Sequence, residues 1–274
     1  MANVVLAQVG ADTSLKFTQR YTQCERKWVV LSKKDTAQSY AFGFVYIDER
    51  GGFSFRLKGA FKVGKDGHYT ADTSATTNTS VTYRIGSTFR NVALVPAAHF
   101  GELHIQPQPD WVKAYYHYTD TVTHNFRWGF IYNDAGQCDT ALVYLNKVYQ
   151  KYPHYDRLEF EMIFAYNNLG NYDSAIKIIQ AGLDADPTNV LFYRELGYAY
   201  MKQKNLYKSI SAYKTGISMC TAREKETKCE MAINLAEVYK ASGDESSFKV
   251  WGAQAKSWAR PGTELYNFIV GQGF

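Results

Sequence analysis

The spacing of hydrophobic and polar positions changes near the middle of this 274-residue chain. From residue 14 to about 106, short runs of β-branched and aromatic residues alternate with turn residues, which is typical of β-strands. From residue 121 onward, apolar residues recur at helical spacing. The pattern therefore predicts an α+β chain, with an N-terminal antiparallel β-sandwich or open barrel followed by a C-terminal all-α segment.

The N-terminal pattern predicts six strands, over residues 27–32, 40–47, 53–61, 68–71, 80–85 and 92–95. The second strand carries a stripe of aromatic residues on one face, at Tyr40, Phe42, Phe44 and Tyr46. The Gly51-Gly52 pair then turns the chain into the third strand, which indicates a hairpin. A β-domain is therefore expected over residues 14–106.

A proline-containing segment separates the two parts. Pro107 and Pro109 resist both helix and central strand, so residues 107–121 are predicted to form a linker. Asp110 is expected to cap a short helix over residues 111–118 through its side-chain oxygen.

The helical part repeats itself. Four sets of residues recur at intervals of 34 positions, namely Tyr132, Tyr166 and Tyr200; Gly136 and Gly170; Ala141 and Ala175; and Pro153 and Pro187. A fixed period of this size indicates a repeat architecture, in which stacked helical units share one core.

At these residues the chain resembles the tetratricopeptide repeat (TPR) family, most closely from Tyr166 through Leu169-Gly170 and Ala175 to Pro187. The resemblance implies a helical solenoid of four units, over residues 122–155, 156–189, 190–223 and 229–262. The third unit has Ser209 where alanine is usual, and the fourth has drifted out of phase. Residues 263–274 are expected to form a capping tail.

The resemblance also implies a partner-binding groove lined by the first helix of each unit. Its expected residues are Phe126, Phe130, Asn133, Arg157, Phe160, Phe164, Asn167, Arg194, Tyr198 and Lys202. Phe126 and Phe130 stand where some family members bind a partner's C-terminal carboxylate with Lys and Asn, so that activity is not expected here. An aromatic groove suits an extended or helical peptide with apolar anchors. Two alternatives stay open, an accessible groove and one covered by the chain's own segments.

Charge adds little to this picture. The net charge is +5, but the Lys and Arg residues form only short clusters interrupted by Glu. A nucleic-acid-binding protein usually concentrates its cations on one face, so no nucleic-acid partner is expected. No run of apolar residues reaches the length of a transmembrane helix.

The cysteines and the N-terminus give information on the cellular compartment of the protein. None of the four cysteines is spaced as in a zinc or redox motif, and Cys220 and Cys229 are interpreted as either a disulfide or two buried thiols. Residues 1–8 resemble the end of a signal peptide, although residues 1–13 also fit a flexible N-terminus or a first strand. A periplasmic or secreted protein is expected, with the cytoplasm as the alternative.

The sequence shows no catalytic motif, and no metal or cofactor is expected. We therefore expect a non-catalytic interaction scaffold, a subunit of an exported, envelope-associated or membrane-associated complex that binds a protein or peptide partner. One alternative is a glycan-binding module on the aromatic stripe of the second strand. Another is a hydrolase with His99, Glu102 and His104 in a cleft.

Overall fold

The computed structural model describes residues 15–72, 81–86, 88–117 and 121–272. The chain divides into two compact units, Met1–Gln137 and Cys138–Phe274. The signal-like segment at residues 1–13 lies outside the described residues. In the described part of the chain, no helix is both long and apolar enough to cross a membrane.

The first unit is built on six strands, and all six lie where the sequence pattern predicts them. They are β1 (Lys27–Leu31), β2 (Tyr40–Asp48), β3 (Gly52–Val63), β4 (Tyr69–Ala71), β5 (Thr82–Arg84) and β6 (Val92–Leu94). Their order is β4-β3-β2-β1-β6, with every pair antiparallel, and β5 also pairs with β3. The antiparallel β class is therefore confirmed, and these strands form one sheet that does not close.

Both faces of the central strand β2 are buried, which explains its nearly continuous apolar sequence. The stripe residues Phe42, Phe44 and Tyr46 are at most 3% exposed and pack in one core cluster with Trp28 and Phe61. A glycan platform needs exposed ring faces, so this burial contradicts the glycan-binding alternative for these three rings. The stripe belongs to the core because its strand lies in the middle of the sheet.

The linker is a 3-10 helix over Asp110–Tyr115. Its Trp111 ring packs edge-on against Tyr46, with ring centroids 5.0 Å apart. The expected cap at Asp110 is wrong, since Pro109 occupies the capping position and Asp110 is already the first residue of the helix. The Asp110 carboxylate contacts the Lys113 ammonium group at 3.2 Å instead.

Helix α1 (Thr121–Asp134) belongs to the first unit, although the sequence pattern groups it with the repeats. Its Arg127 Nε donates a hydrogen bond to the Glu49 carbonyl oxygen at 2.6 Å. Its Tyr132 ring packs edge-on against Phe53 of β3, with centroids 5.4 Å apart. Polar and aromatic contacts thus hold α1 against the turn between β2 and β3 and against β3 itself, within the same unit.

The second unit contains helices α2 (Cys138–Tyr149), α3 (Leu158–Asn168), α4 (Tyr172–Ala185), α5 (Val190–Lys202), α6 (Leu206–Met219), α7 (Lys225–Ala241), α8 (Glu245–Trp258) and α9 (Glu264–Gly271). The pairs α3–α4 and α5–α6 fall within the second and third predicted repeats. The pair α7–α8 overlaps the fourth predicted repeat, but α7 begins at Lys225, before the predicted start at residue 229. The last helix, α9, buries Ile269 in the core cluster that includes Tyr213 and Met231.

All four cysteines are free thiols, so the Cys220–Cys229 disulfide is absent. Cys229 lies inside the core of α7 and donates its thiol hydrogen to the Ala255 carbonyl oxygen at 3.2 Å. Burial raises the pKa of the Cys229 thiol to about 11. Cys220 instead follows the end of α6, where it is only partly buried. The two residues are thus the separate thiols of the second interpretation.

Candidate partner-binding surface

Three residues connect the helices of each pair α3–α4, α5–α6 and α7–α8. A left-handed residue ends the first helix: Gly170, Lys204 and Gly243 have φ angles of 71°, 61° and 81°. The next residue caps the second helix, as Asn171, Asn205 and Asp244 each accept a hydrogen bond from the backbone N–H three positions on. The turn holds the two helices of a pair as antiparallel neighbours, and its repetition places the first helices α3, α5 and α7 in one row.

Polar side chains join these first helices to one another. Asn167 Nδ2 on α3 donates to the Glu195 carboxylate on α5 at 3.4 Å. Arg194 of α5 donates to the Glu230 carboxylate of α7 at 2.9 Å, and its guanidinium also contacts Glu195 at 2.9 Å. Three successive repeats are therefore connected along a single polar ladder.

Arg194 is held at the centre of this ladder. Burial lowers the pKa of its guanidinium, but the carboxylates of Glu195 and Glu230 raise it more, so the net shift is upward. Arg194 thus bridges two repeats, and its charge is already balanced by neighbouring carboxylates.

Aromatic side chains stand beside the ladder. Phe164 on α3 is 48% exposed. The corresponding position on α5, 34 residues later, is the partly exposed Tyr198, whose ring lies 5.3 Å from the Lys202 ammonium group. We call the set Phe164, Glu195, Tyr198, Lys202 and Glu230 the first-helix surface. It offers apolar rings next to fixed charges, which suits a peptide with apolar anchors.

Other predicted groove residues have different environments. Phe160 stacks on Phe192 of the next repeat, with centroids 4.7 Å apart and ring planes 11° apart, so it packs between repeats. Arg157 precedes α3 in a left-handed conformation, 4.0 Å from Glu161. Asn167 is 9% exposed, and in the described part of the chain no donor reaches its Oδ1 atom.

The three remaining predicted residues lie on α1, in the first unit. Asn133 is 3% exposed, whereas Phe126 and Phe130 are partly buried. The Arg127 guanidinium lies 5.2 Å from the Phe130 ring centroid. The positions of these residues therefore depend on the contacts that α1 makes with the strands of the first unit.

Sequence reasoning missed the two carboxylates of the ladder, Glu195 and Glu230. The sequence does contain a signal for Glu195, because Glu161 and Glu195 are 34 residues apart and so occupy equivalent repeat positions. Glu230 follows the drift of the fourth repeat, so no fixed period identifies it. Its role appears only once α7 is placed beside α5.

The histidine cluster of the β-domain centres on Glu102. Its carboxylate contacts His68 Nδ1 at 2.6 Å and His99 Nδ1 at 2.8 Å, and it accepts the Tyr69 backbone N–H at 2.8 Å. These bonds, led by the one to His68, lower the pKa of Glu102 to about 2. No hydrogen bond in the described part of the chain joins Glu102 to His104, which the hydrolase alternative places beside it. These hydrogen bonds connect the start of β4 to the loop that follows β6.

None of the described residues forms a group of three or more His, Cys, Asp or Glu that is arranged to hold a metal ion. The His68–Glu102–His99 cluster is consistent with this finding, because both imidazoles direct their Nδ1 atoms at carboxylate oxygens. A metal ion would have to compete with these bonds for the same carboxylate.

Comparison with known proteins gives one family match and several similar solved structures. The model of a tetratricopeptide repeat family matches residues 132–194. MamA of Desulfovibrio magneticus RS-1, from its residue 41 onward, is 17% identical with a TM-score of 0.46, over 51% of this chain and 75% of that one. MamA of MSR-1 is 16% identical with a TM-score of 0.43, over 57% and 80%. No curated protein sequence matches the chain.

The matched segment runs from the end of α1 into α5 and so includes the Gly136 and Gly170 turns. The repeat period, the left-handed turns and the helix pairs agree with this match. The helical half of this chain therefore contains tetratricopeptide repeats.

Proposed function

We propose that this protein is a non-catalytic scaffold that binds a polypeptide partner through the first-helix surface. The observation that carries the proposal is the alignment of α3, α5 and α7 by the Asn167–Glu195 and Arg194–Glu230 contacts. Tetratricopeptide repeats typically bind protein segments on stacked helical surfaces of this kind. The ladder gives the surface a fixed shape before any partner arrives, which lowers the entropic cost of binding.

Phe164 is the expected anchor of the partner. A half-exposed aromatic ring next to fixed charges can bury its remaining area against an apolar side chain, and such rings dominate interface energetics. An extended or helical peptide can supply such an apolar side chain.

The test is quantitative recovery of co-purifying proteins from the native source, compared between the wild type and variants. We expect Phe164→Ala to lower recovery of the specific partner at least about tenfold, the effect of a hot-spot aromatic residue. Tyr207→Ala is the matched control, since Tyr207 is 85% exposed but lies on α6, a second helix. Equal recovery with Phe164→Ala and Tyr207→Ala would contradict binding through the first-helix surface.

We propose in addition that the partner complex is exported or envelope-associated. The signal-like pattern of residues 1–8 supports this location. Fractionation of native cells, together with sequencing of the mature N-terminus, tests it. A protein recovered from the cytoplasmic fraction with its first residues intact would refute export and leave the binding proposal unchanged.

A further inference from the structure

A second surface in the helical unit is an open recess at the end of the repeat array. It lies between the start of α7, the end of α8 and the turn before α9, and has a volume of about 720 Å³. Its walls include Lys225, Lys256 and Arg260, with Ala253 and Tyr266 among the apolar surfaces. We call it the terminal recess. None of its lining residues belongs to α3 or α5, so it is separate from the Phe164 and Tyr198 positions.

All charged side chains that line the terminal recess are cationic. Lys225 is the first residue of α7, Lys256 lies in the last turn of α8, and Arg260 follows in the connecting turn. No carboxylate side chain lines it, and residues 246–263 contain three cations and no Asp or Glu. Three like charges around one opening create a positive potential that attracts anions.

These cations have no neutralising partner, unlike others in the same unit. Arg194 is balanced by Glu195 and Glu230, and Lys249 lies 3.8 Å from Glu245. Within the described part of the chain, no ion pair reaches Lys225, Lys256 or Arg260. Their charge is therefore available to a molecule from outside.

Two carboxylates stand at the start of α7, since Glu224 precedes the helix and Glu226 lies in its first turn, but neither side chain lines the recess. The Glu224 carboxylate accepts the Thr221 backbone N–H at 2.8 Å, which holds it in the preceding turn.

We propose that the terminal recess binds an acidic segment of a polypeptide partner. Partner carboxylates would pair with Lys256 and Arg260, and an apolar side chain would pack against Ala253 and Tyr266. The mixture of apolar and cationic lining residues favours a peptide over a nucleic acid, which needs a longer basic stripe to follow its phosphates. The recess is open to solvent, which favours an extended chain over an enclosed small molecule.

The test uses the full chain and a fluorescein-labelled peptide of alternating Glu and Leu, with binding followed by fluorescence anisotropy. We expect the wild type to bind the peptide, and added salt to weaken binding by screening. Arg260→Glu should weaken binding at least about tenfold, since it replaces an attraction by a repulsion. Lys249→Glu is the matched control, because it makes the same charge change on α8 outside the recess. Circular dichroism establishes that both variants are folded.

The outcomes separate this proposal from others. Loss of binding in Arg260→Glu with retention in Lys249→Glu and Phe164→Ala supports the terminal recess, whatever the result at the first-helix surface. Absence of wild-type binding, or equal loss in Arg260→Glu and Lys249→Glu, overturns it. Tighter Arg260-dependent binding to a single-stranded oligonucleotide or to phosphatidylserine vesicles also overturns it in favour of that ligand.

Discussion

A left-handed residue lies at the centre of each three-residue turn between paired helices, and its identity is not the same in every repeat. Gly170 and Gly243 adopt this conformation without a Cβ clash, whereas Lys204 adopts it with φ at 61° and carries a full side chain. The surrounding helices impose the conformation because Asn205 must immediately cap α6. This turn of the third repeat therefore carries backbone strain that the equivalent turns at Gly170 and Gly243 lack.

Replacing Lys204 with glycine should relieve this strain. The left-handed conformation costs a non-glycine residue roughly 1–2 kcal/mol, more than the roughly 0.5–1 kcal/mol of extra chain entropy that glycine loses on folding. We expect Lys204→Gly to raise the free energy of unfolding by about 0.5–1 kcal/mol in urea denaturation followed by circular dichroism. Gly170→Ala is the reverse control and should lower it by about 1 kcal/mol. A less stable Lys204→Gly protein would show that its side chain contributes more than its backbone costs.

The Glu102 cluster predicts a pH-dependent stability. The hydrogen bond to the Glu102 carboxylate raises the pKa of His68 above 6.5, and the bonds that Glu102 accepts lower its own pKa from 4.5 to about 2. The contribution of His68 is therefore complete below about pH 6.5 and is lost as pH rises through its raised pKa. The contribution of Glu102 is complete above about pH 4.5 and is lost as pH falls towards 2.

The contact is thus strongest between these limits. We expect the melting temperature of the wild type to exceed that of Glu102→Gln by more at about pH 5.5 than at about pH 9. Titration of the His68 imidazole by NMR should give a lower pKa in Glu102→Gln. A difference in melting temperature that is independent of pH would contradict a charged His68–Glu102 contact.

At the scale of elements, close packing of α5 on α6 depends on two small residues. A Cβ atom added at Gly197 would lie 2.5 Å from the ring of Tyr213, which is fully buried. Ser209, where the repeat pattern usually has alanine, is also fully buried, and its hydroxyl donates to the Gly197 carbonyl oxygen at 2.8 Å. The two helices approach closely because these positions are small, and the serine hydroxyl is satisfied there.

This geometry predicts unequal effects of two similar substitutions. Gly197→Ala should lower the free energy of unfolding by about 1–3 kcal/mol, because Tyr213 has no space into which to move. Ser209→Ala should lower it by less than about 1 kcal/mol, since it loses one hydrogen bond and restores the usual residue. Urea denaturation of both variants measures the difference. Equal effects would mean that the α5–α6 contact adjusts to an added methyl group.

At this scale, the sequence pattern predicted the strands better than it predicted the packing of the first helix. It located all six strands, because alternating apolar residues and glycine turns are local signals. It assigned the first helix of the array less well, since the repeat period continues through Tyr132 while α1 packs on β3 through that same ring. A periodic sequence specifies a helix and its apolar face but does not specify which partner that face contacts.

At the scale of the whole molecule, the helical unit presents two chemically different surfaces. The first-helix surface combines exposed rings with charges that are already paired, whereas the terminal recess has cations with apolar surroundings. Phe164→Ala and Arg260→Glu perturb these surfaces separately. A partner that needs both would gain affinity by occupying two sites at once, and the two variants would then weaken it independently.

The sequence by itself determined the elements and the repeat, because hydrophobic period, glycine turns and proline stops are properties of short segments. It also identified Gly170 as a recurring repeat position and Ser209 as the residue that stands where alanine is usual. Only the tertiary structure decided that Phe42, Phe44 and Tyr46 are core, that Phe160 packs between repeats and that Arg194 pairs with Glu195 and Glu230. These outcomes depend on which residues from distant parts of the chain become neighbours, and burial and charge pairing are set by those neighbours.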